Sequence, residues 1–183
     1  SRFRVVTHTE YTALLRACEK HLPCLAPIVQ WARLTGWRNG DICDLRWHEC
    51  NLETGRIHRR QIKTNNALPY PITPPMRQLL EQLTRTDDHV FLNAYRRPCR
   101  PKSIGLALRR VCATEGLPPI TLRDLRVTFA TEKANAGCPP AVLQQLMGHQ
   151  SIQMALQYYV KVDFDQMEKW AGNKAGNIAE TTP

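Results

Sequence analysis

The amino-acid sequence predicts a mainly helical protein with one small antiparallel β-sheet, an α+β fold. Apolar residues recur at helical spacing over most of the 183 residues, and several of these stretches begin at a capping residue. Only residues 51–72 combine turn residues with short segments that suit paired strands. We expect one globular domain over residues 1–172 and a disordered tail over residues 173–183.

The first predicted elements are helices with clear end signals. Thr7 and Glu10 have the spacing of a capping box at the start of the first helix. A second helix should begin near Pro27, since proline is tolerated in a first turn, and should end before Gly36. A short helical turn over residues 41–45 should follow.

The predicted sheet comes next. Residues 56–63 suit a strand after a turn at 51–55, and residues 68–72 suit its antiparallel partner after a turn at 64–66. Prolines in the second strand indicate that it lies at a sheet edge. We therefore expect a sheet of two or three strands.

The second half of the chain is predicted to be helical, apart from a short buried segment at 90–92 and a basic loop at 93–102. One helix should open at Pro74 or Pro75, because proline fits a first helical turn. Further helices are expected over residues 103–115, 122–136 and 140–147.

Two adjacent tyrosines lie on the helix that follows, which Gly148 separates from its predecessor and Ser151 can cap. Helical spacing predicts a buried stripe of Ile152, Ala155, Leu156 and Tyr159. Tyr158 points away from that stripe, so Tyr159 should be a core residue and Tyr158 should face different surroundings. A last helix from about residue 163 should carry an apolar face of Phe164, Met167 and Trp170.

The charge of the chain indicates a polyanionic partner. Lys and Arg number 25 against 16 acidic residues, which gives a net charge of +9. Nucleic acid is the first candidate because phosphate neutralisation dominates that kind of affinity, although a basic protein without such a partner has the same charge. No apolar run reaches the roughly 18 residues of a membrane span, and the chain opens without a signal-peptide pattern, so no membrane partner is expected.

The cysteines favour a reducing compartment. Seven are present, an odd and scattered number, which is typical of a cytoplasmic protein rather than of a disulfide framework. Cys18, His21 and Cys24 could hold zinc only with a fourth ligand that the sequence does not identify, so no metal site is predicted.

Two arginines near a helix start are candidates for anion binding. Thr121 and Asp124 can cap a helix whose first turns carry Arg123 and Arg126, which are neighbours on its surface. The two charges repel each other and oppose the helix dipole, whereas an anion between them would make both favourable. The alternative is a solvated pair of surface arginines.

Three further stretches allow both a functional and an ordinary interpretation. Arg38 follows a helix end and could be oriented by Asp41, or it could be solvated. Lys63 lies at a strand end, where lysines are common edge charges. His149 follows Gly148 and could be a buried histidine that bonds to the backbone.

Taken together, these stretches resemble the catalytic domain of tyrosine recombinases, the phage integrase family, over about residues 7–161. Four motifs carry the resemblance, in this order: Thr35-Gly36-Trp37-Arg38 with Asp41 and Leu45-Arg46-Trp47, Ile62-Lys63-Thr64 with Leu68-Pro69, the run 123–131, and Leu146-Met147-Gly148-His149 with a tyrosine nine residues past the histidine. That last spacing selects Tyr158.

The resemblance implies the catalytic-domain fold of DNA breaking–rejoining enzymes. It also implies a site-specific DNA recombinase that works through a 3′-phosphotyrosyl intermediate without metal or other cofactor. In that scheme Tyr158 is the nucleophile and Lys63 on the hairpin is the general acid. The phosphate would be held by Arg38, Arg126, His149 and Arg123.

One residue departs from the family pattern, because Arg123 stands where these enzymes usually have histidine. Arginine stays charged and can only donate hydrogen bonds, so a general-base role at this position is in doubt. Water, His149 or the phosphate itself remains to accept the phenol proton.

The resemblance further implies double-stranded DNA attachment sites as partners, a homotetramer on DNA that exchanges C-terminal segments, and accessory DNA-bending proteins. The separate N-terminal DNA-binding domain of such enzymes is not expected in this chain. Loop contacts to the DNA backbone are predicted for Arg96, Arg97, Arg100 and Lys102. Two other functions stay open: strand relaxation of the type IB topoisomerase kind, and a non-enzymatic DNA-binding relic.

Overall fold

A computed structural model describes residues 4–60 and 67–159. Lys63 lies outside these residues, as do the predicted last helix with Phe164, Met167 and Trp170 and the predicted tail at 173–183. In chain order, the helices and strands are α1 (His8–His21), α2 (Ala26–Thr35), α3 (Asn39–Cys43), β1 (Cys50–Asn51), β2 (Arg56–Arg60), β3 (Ala67–Pro71), α4 (Pro74–Gln82), α5 (Pro101–Thr114), α6 (Leu122–Asn135), α7 (Pro140–Met147) and α8 (Ile152–Leu156).

The predicted fold class is confirmed, since β1, β2 and β3 form one antiparallel sheet in that order beside the helices. In the register of β2 and β3, Ile57 lies opposite Tyr70 and Arg56 opposite Pro71. The prolines are therefore on β3, an edge strand of the sheet as described, where a missing N–H is tolerated.

Both predicted capping boxes are present. The Thr7 hydroxyl accepts from the Glu10 backbone N–H at 3.2 Å, and the Glu10 carboxylate accepts from the Thr7 N–H at 2.9 Å. Thr121 and Asp124 make the same pair of bonds at 3.2 and 2.8 Å. Each box satisfies backbone donors that the helix itself leaves unpaired, which fixes where α1 and α6 begin.

Helix α6 joins two apolar clusters. Its first part places Leu122 and Leu125 in a large cluster with α1–α5 and the sheet. This cluster includes the fully buried Trp31 and Phe91 rings, whose centroids are 5.5 Å apart. Its second part contributes Phe129, Ala130 and Ala134 to a smaller cluster with Leu143, Met147 and Ala155. Arg126 lies between the two parts.

The predicted stripe on α8 is wrong in part. Ala155 is buried, but Ile152 and Leu156 are 39% and 43% exposed. Helix α8 has only five residues, and of its predicted stripe only Ala155 reaches the small apolar cluster, while the 3-10 turn at Gln157–Tyr159 changes the rotation per residue to about 120° and so alters the predicted direction of Tyr159. Within the described residues, no helix is long and apolar enough to cross a membrane.

Candidate active site

A cleft of about 560 Å³ lies between the start of α3, the first turns of α6 and the α7–α8 connection. Six predicted site residues line it: Arg38, Asp41, Arg123, Arg126, His149 and Tyr158. They come from three separate parts of the chain, so the fold brings together what the motifs only suggested.

Arg126 ties together two helix ends. Its guanidinium donates to the carbonyl of Gly36, just past α2, at 2.5 Å and to the carbonyl of Met147, the last residue of α7, at 2.7 Å. Carbonyls at helix C-termini lack intrahelical partners and carry partial negative charge, so a cation there is favourable. The positive charge of Arg126 is unfavourable near the start of α6, but the carbonyls at the ends of α2 and α7 offset this cost.

Arg38 reaches the same region, and its Nη2 donates to the carbonyl of Gly148 at 2.8 Å. Gly36 and Gly148 both adopt left-handed backbone conformations, with φ of 62° and 59°, which end α2 and α7. Burial, together with the nearby charge of Arg38, lowers the pKa of Arg126 to about 10. Arg126 therefore remains cationic at pH 7, and an anion between the two guanidinium groups would relieve their repulsion.

His149 is buried in the cleft and neutral at pH 7. His149 is only 4% exposed, and its Nδ1 has no hydrogen-bond partner among the described residues. Burial lowers the pKa of His149 to about 4, with further contributions from Arg126 and Arg38. Its ring stacks on Tyr158, with centroids 6.2 Å apart and planes 12° apart.

The two tyrosines have different surroundings, but Tyr159 is only partly buried, so its predicted place in the core is wrong. Tyr158 is half-buried and lines the cleft, where burial raises the pKa of its phenol while Arg126 and Arg123 oppose that rise. Tyr159 packs against the smaller cluster, and its hydroxyl donates to the carbonyl of Cys138. The phenol of Tyr158 is therefore the one that faces the arginines.

A model of the family described as the phage integrase family matches residues 4–166. The chain belongs to the phage integrase family. It is 28% identical over 171 residues to the integrase of Salmonella phage P22, across 86% of this chain and 43% of that protein. The chain thus spans less than half the length of this relative.

Solved structures of integrases share the fold of this family member. The Tn1549 transposon integrase, in complex with circular intermediate DNA, superposes with a TM-score of 0.77 at 21% identity, over 93% of this chain and 65% of the other. A lambda integrase tetramer bound to a Holliday junction gives 0.74 at 23% identity, over 86% and 48%. The fold is that of tyrosine recombinase catalytic domains, as the sequence predicted.

We call Arg38 and Arg126 the clamp. In this phage integrase family member, Arg123 and Asp41 lie at different places around the clamp. Arg123 is exposed on the first turn of α6 and lines the same cleft as Arg126, so an anion bound between the two arginines stays a prediction. Asp41 is 5% exposed, and its charge favours the cationic form of Arg126.

Two cleft residues with uncharged polar side chains, Asn39 and Gln157, were not predicted from the sequence. Asn39 follows Arg38 and donates from Nδ2 to the carbonyl of Pro101 at 3.0 Å, which joins the start of α3 to the start of α5. Gln157 precedes Tyr158 at the cleft edge. Their only sequence signal is adjacency to a predicted site residue.

The loop residues predicted to contact the DNA backbone do not line the cleft. The side chains concerned are exposed: Arg96, Arg97, Arg100 and Lys102. Arg96 borders a separate cavity with Cys24 and Pro27, next to the start of α2. Their contact with DNA stays a prediction.

Over residues 4–60 and 67–159, no three Cys, His, Asp or Glu side chains lie close enough together to hold a metal ion.

Proposed function

We propose that this chain is the catalytic domain of a site-specific DNA recombinase that cleaves and rejoins strands through a 3′-phosphotyrosyl intermediate. The observation that carries the proposal is the convergence of the Tyr158 phenol, the clamp and a neutral His149 on one cleft. A nucleophile next to fixed cationic donors is what phosphoryl transfer to an enzyme side chain requires.

In the proposed reaction, the Tyr158 Oη attacks the scissile phosphorus and the bond from phosphorus to the 5′ oxygen breaks. Burial raises the pKa of the Tyr158 phenol and the charges of Arg126 and Arg123 only partly oppose this rise, so the phenol needs an acceptor for its proton, which water in the open cleft can supply. The departing 5′ oxygen takes a proton, for which Lys63 is the predicted donor. Attack by a 5′ hydroxyl of another strand reverses these steps and rejoins the DNA.

The clamp would stabilise the transition state. Its two guanidinium groups are already fixed by helix-end carbonyls, so little reorganisation is needed when charge develops on the non-bridging oxygens. Neutral His149 can add one N–H donor, and Arg123 can add a permanent charge at the cleft mouth.

The proposed partner is double-stranded DNA at an attachment site, bound by a homotetramer. Support comes from the net charge of +9 and from the shared fold with integrases whose structures contain DNA. Exchange of C-terminal segments, accessory DNA-bending proteins and a cytoplasmic setting remain predictions from the resemblance.

A covalent trap tests the function. The full-length protein is incubated with a pool of randomised duplexes that each carry a nick near the centre. Cleavage next to the nick releases a short fragment, and without this fragment the strand cannot be rejoined and the covalent adduct persists. We expect protein-bound DNA from the wild type and from Tyr159→Phe, none from Tyr158→Phe, and the bound phosphate on Tyr158 by mass spectrometry. An adduct that persists in Tyr158→Phe would contradict the assignment.

The same trap separates the proposed recombinase from a non-enzymatic DNA-binding role, whereas a type IB topoisomerase would also form the adduct and is distinguished by comparing strand exchange with supercoil relaxation. A non-enzymatic DNA-binding role, which Arg123 in place of histidine favours, would give retained DNA but no adduct from any form. The recovered duplexes would then identify the attachment sequence for a strand-exchange assay.

A further inference from the structure

A buried tyrosine outside the cleft contacts the segment that leads into the clamp. Tyr70 lies on β3 and is 9% exposed. Its hydroxyl donates to the carbonyl of Thr35 at 3.3 Å, and its ring meets Trp37 edge-on, with centroids 5.2 Å apart at 86°. One side chain therefore holds both neighbours of Gly36.

The segment Thr35–Trp37 connects the end of α2 to Arg38, and we call it the strap. Its middle carbonyl, on Gly36, accepts the 2.5 Å bond from Arg126. Within the strap, the Trp37 N–H donates to the Thr35 hydroxyl at 3.2 Å. The strap therefore presents one carbonyl to Arg126 and continues directly into Arg38.

The strap depends on its neighbours because its centre is glycine. Glycine adopts left-handed and right-handed conformations about equally well, so the chain at Gly36 does not by itself fix where its carbonyl points. Thr35 is fully buried at the end of α2, where water is not available to satisfy its carbonyl. The Tyr70 hydroxyl supplies a donor there and, with the 2.9 Å bond from the Gly36 N–H to the Ala32 carbonyl, holds the Thr35–Gly36 peptide; the bond from the Trp37 N–H holds the next peptide, whose carbonyl accepts from Arg126.

We propose that Tyr70 is a positioning residue for Arg126, acting through the strap rather than touching DNA. This inference rests on the proposed function of the cleft. A tyrosine that merely fills the core would need its ring but not its hydroxyl. Tyr70→Phe removes only the oxygen and keeps the contact with Trp37, so it separates these two roles.

The first test compares Tyr70→Phe with Tyr11→Phe, a matched loss of a phenol from a half-buried tyrosine on α1 that does not line the cleft. Using a duplex recovered by the covalent trap, we expect Tyr70→Phe to form the adduct about tenfold more slowly at saturating DNA, because small misplacements of reacting groups are costly. DNA affinity and the behaviour of Tyr11→Phe should match the wild type. Equal adduct rates for both variants would overturn the inference.

A substrate with sulfur in place of the 5′ bridging oxygen tells which step is affected. A thiolate leaves without needing a proton, so a defect in leaving-group protonation would disappear with it. The Tyr70→Phe defect should persist, since Arg126 acts on the non-bridging oxygens. Recovery of the wild-type rate would place Tyr70 with the proton donor and overturn its assignment to Arg126.

A measurement without DNA keeps the inference independent of the trap. Hydrogen exchange of the Arg126 guanidinium, followed by nuclear magnetic resonance, should be faster in Tyr70→Phe than in the wild type and unchanged in Tyr11→Phe. Unchanged exchange in Tyr70→Phe would refute the positioning role even if the wild type forms the adduct. An absent wild-type adduct would instead refute the proposed function.

Discussion

Replacing Gly36 with alanine should disrupt both the packing and the clamp. A Cβ at this position would lie 2.5 Å from Phe129 Cδ1 and 3.1 Å from Met147 Sδ. Ordinary contact begins near 3.4 Å, so either the strap or the Phe129 ring must move by about 0.9 Å. The φ of +62° adds backbone strain for any residue with a side chain.

The magnitude follows from these two effects. A left-handed alanine costs about 1–2 kcal/mol, and overpacking of a filled core costs about 1–3 kcal/mol more. We expect the free energy of unfolding to fall by about 2–5 kcal/mol. Because Gly36 carries the carbonyl that holds Arg126, the cleavage rate should also fall by as much as about a hundredfold.

Gly55→Ala is the matched control. Gly55 has a φ of +65° but nothing within 4 Å of an added Cβ, so this variant measures the backbone strain alone. Urea unfolding gives the stability of both variants, and the covalent trap gives their cleavage rates. If Gly36→Ala loses no more stability than Gly55→Ala and cleaves as fast, the close packing of α2 on α6 and α7 does not position the clamp.

Three further outcomes follow from the cleft. Arg126→Ala should slow adduct formation at least about a hundredfold, since one donor to developing charge contributes about 3 kcal/mol; a tenfold effect or less in the trap would exclude a transition-state role. Arg123→His should cleave like the wild type near pH 5.5 and slow above about pH 6.5 as the new imidazole loses its charge, whereas a rate that rises over this range would indicate a proton acceptor. The pKa of His149 is about 4 in the folded protein and about 6.5 in the unfolded chain, so the unfolded chain binds the proton more readily as the pH falls. The free energy of unfolding should therefore be at its full value above about pH 6.5 and fall by at most about 3 kcal/mol as the pH drops to 4. Urea unfolding across that range should show a smaller fall in His149→Asn, and an identical fall would contradict the assignment.

Local signals allowed much of the fold to be predicted. The capping boxes at Thr7 and Thr121 act within one helical turn, and the glycines at 36 and 148 end helices through their own backbone conformation. The stripe on α8 failed because its exposure depends on the packing of a five-residue helix against other elements, which spacing alone does not contain.

The membership of the site was predictable, but its construction was not. Resemblance of four motifs indicated which residues meet, and six of them line the cleft. The carbonyl partners of Arg38 and Arg126 are tertiary contacts at the ends of other helices, and no sequence pattern near either arginine predicts them. The same holds for the contact between Tyr70 and Thr35.

The division of the apolar core has a consequence for dynamics. Tyr158 and Tyr159 pack against the smaller cluster, whereas Trp37, which precedes Arg38 in the strap, belongs to the larger one. Cooperative units with few buried contacts open at lower free energy than the whole molecule. Transient opening of α7 and α8 would thus move Tyr158, the proposed nucleophile, away from the cleft and would break the bonds of Arg38 and Arg126 to Gly148 and Met147, so that an intact cleft depends on a local opening equilibrium.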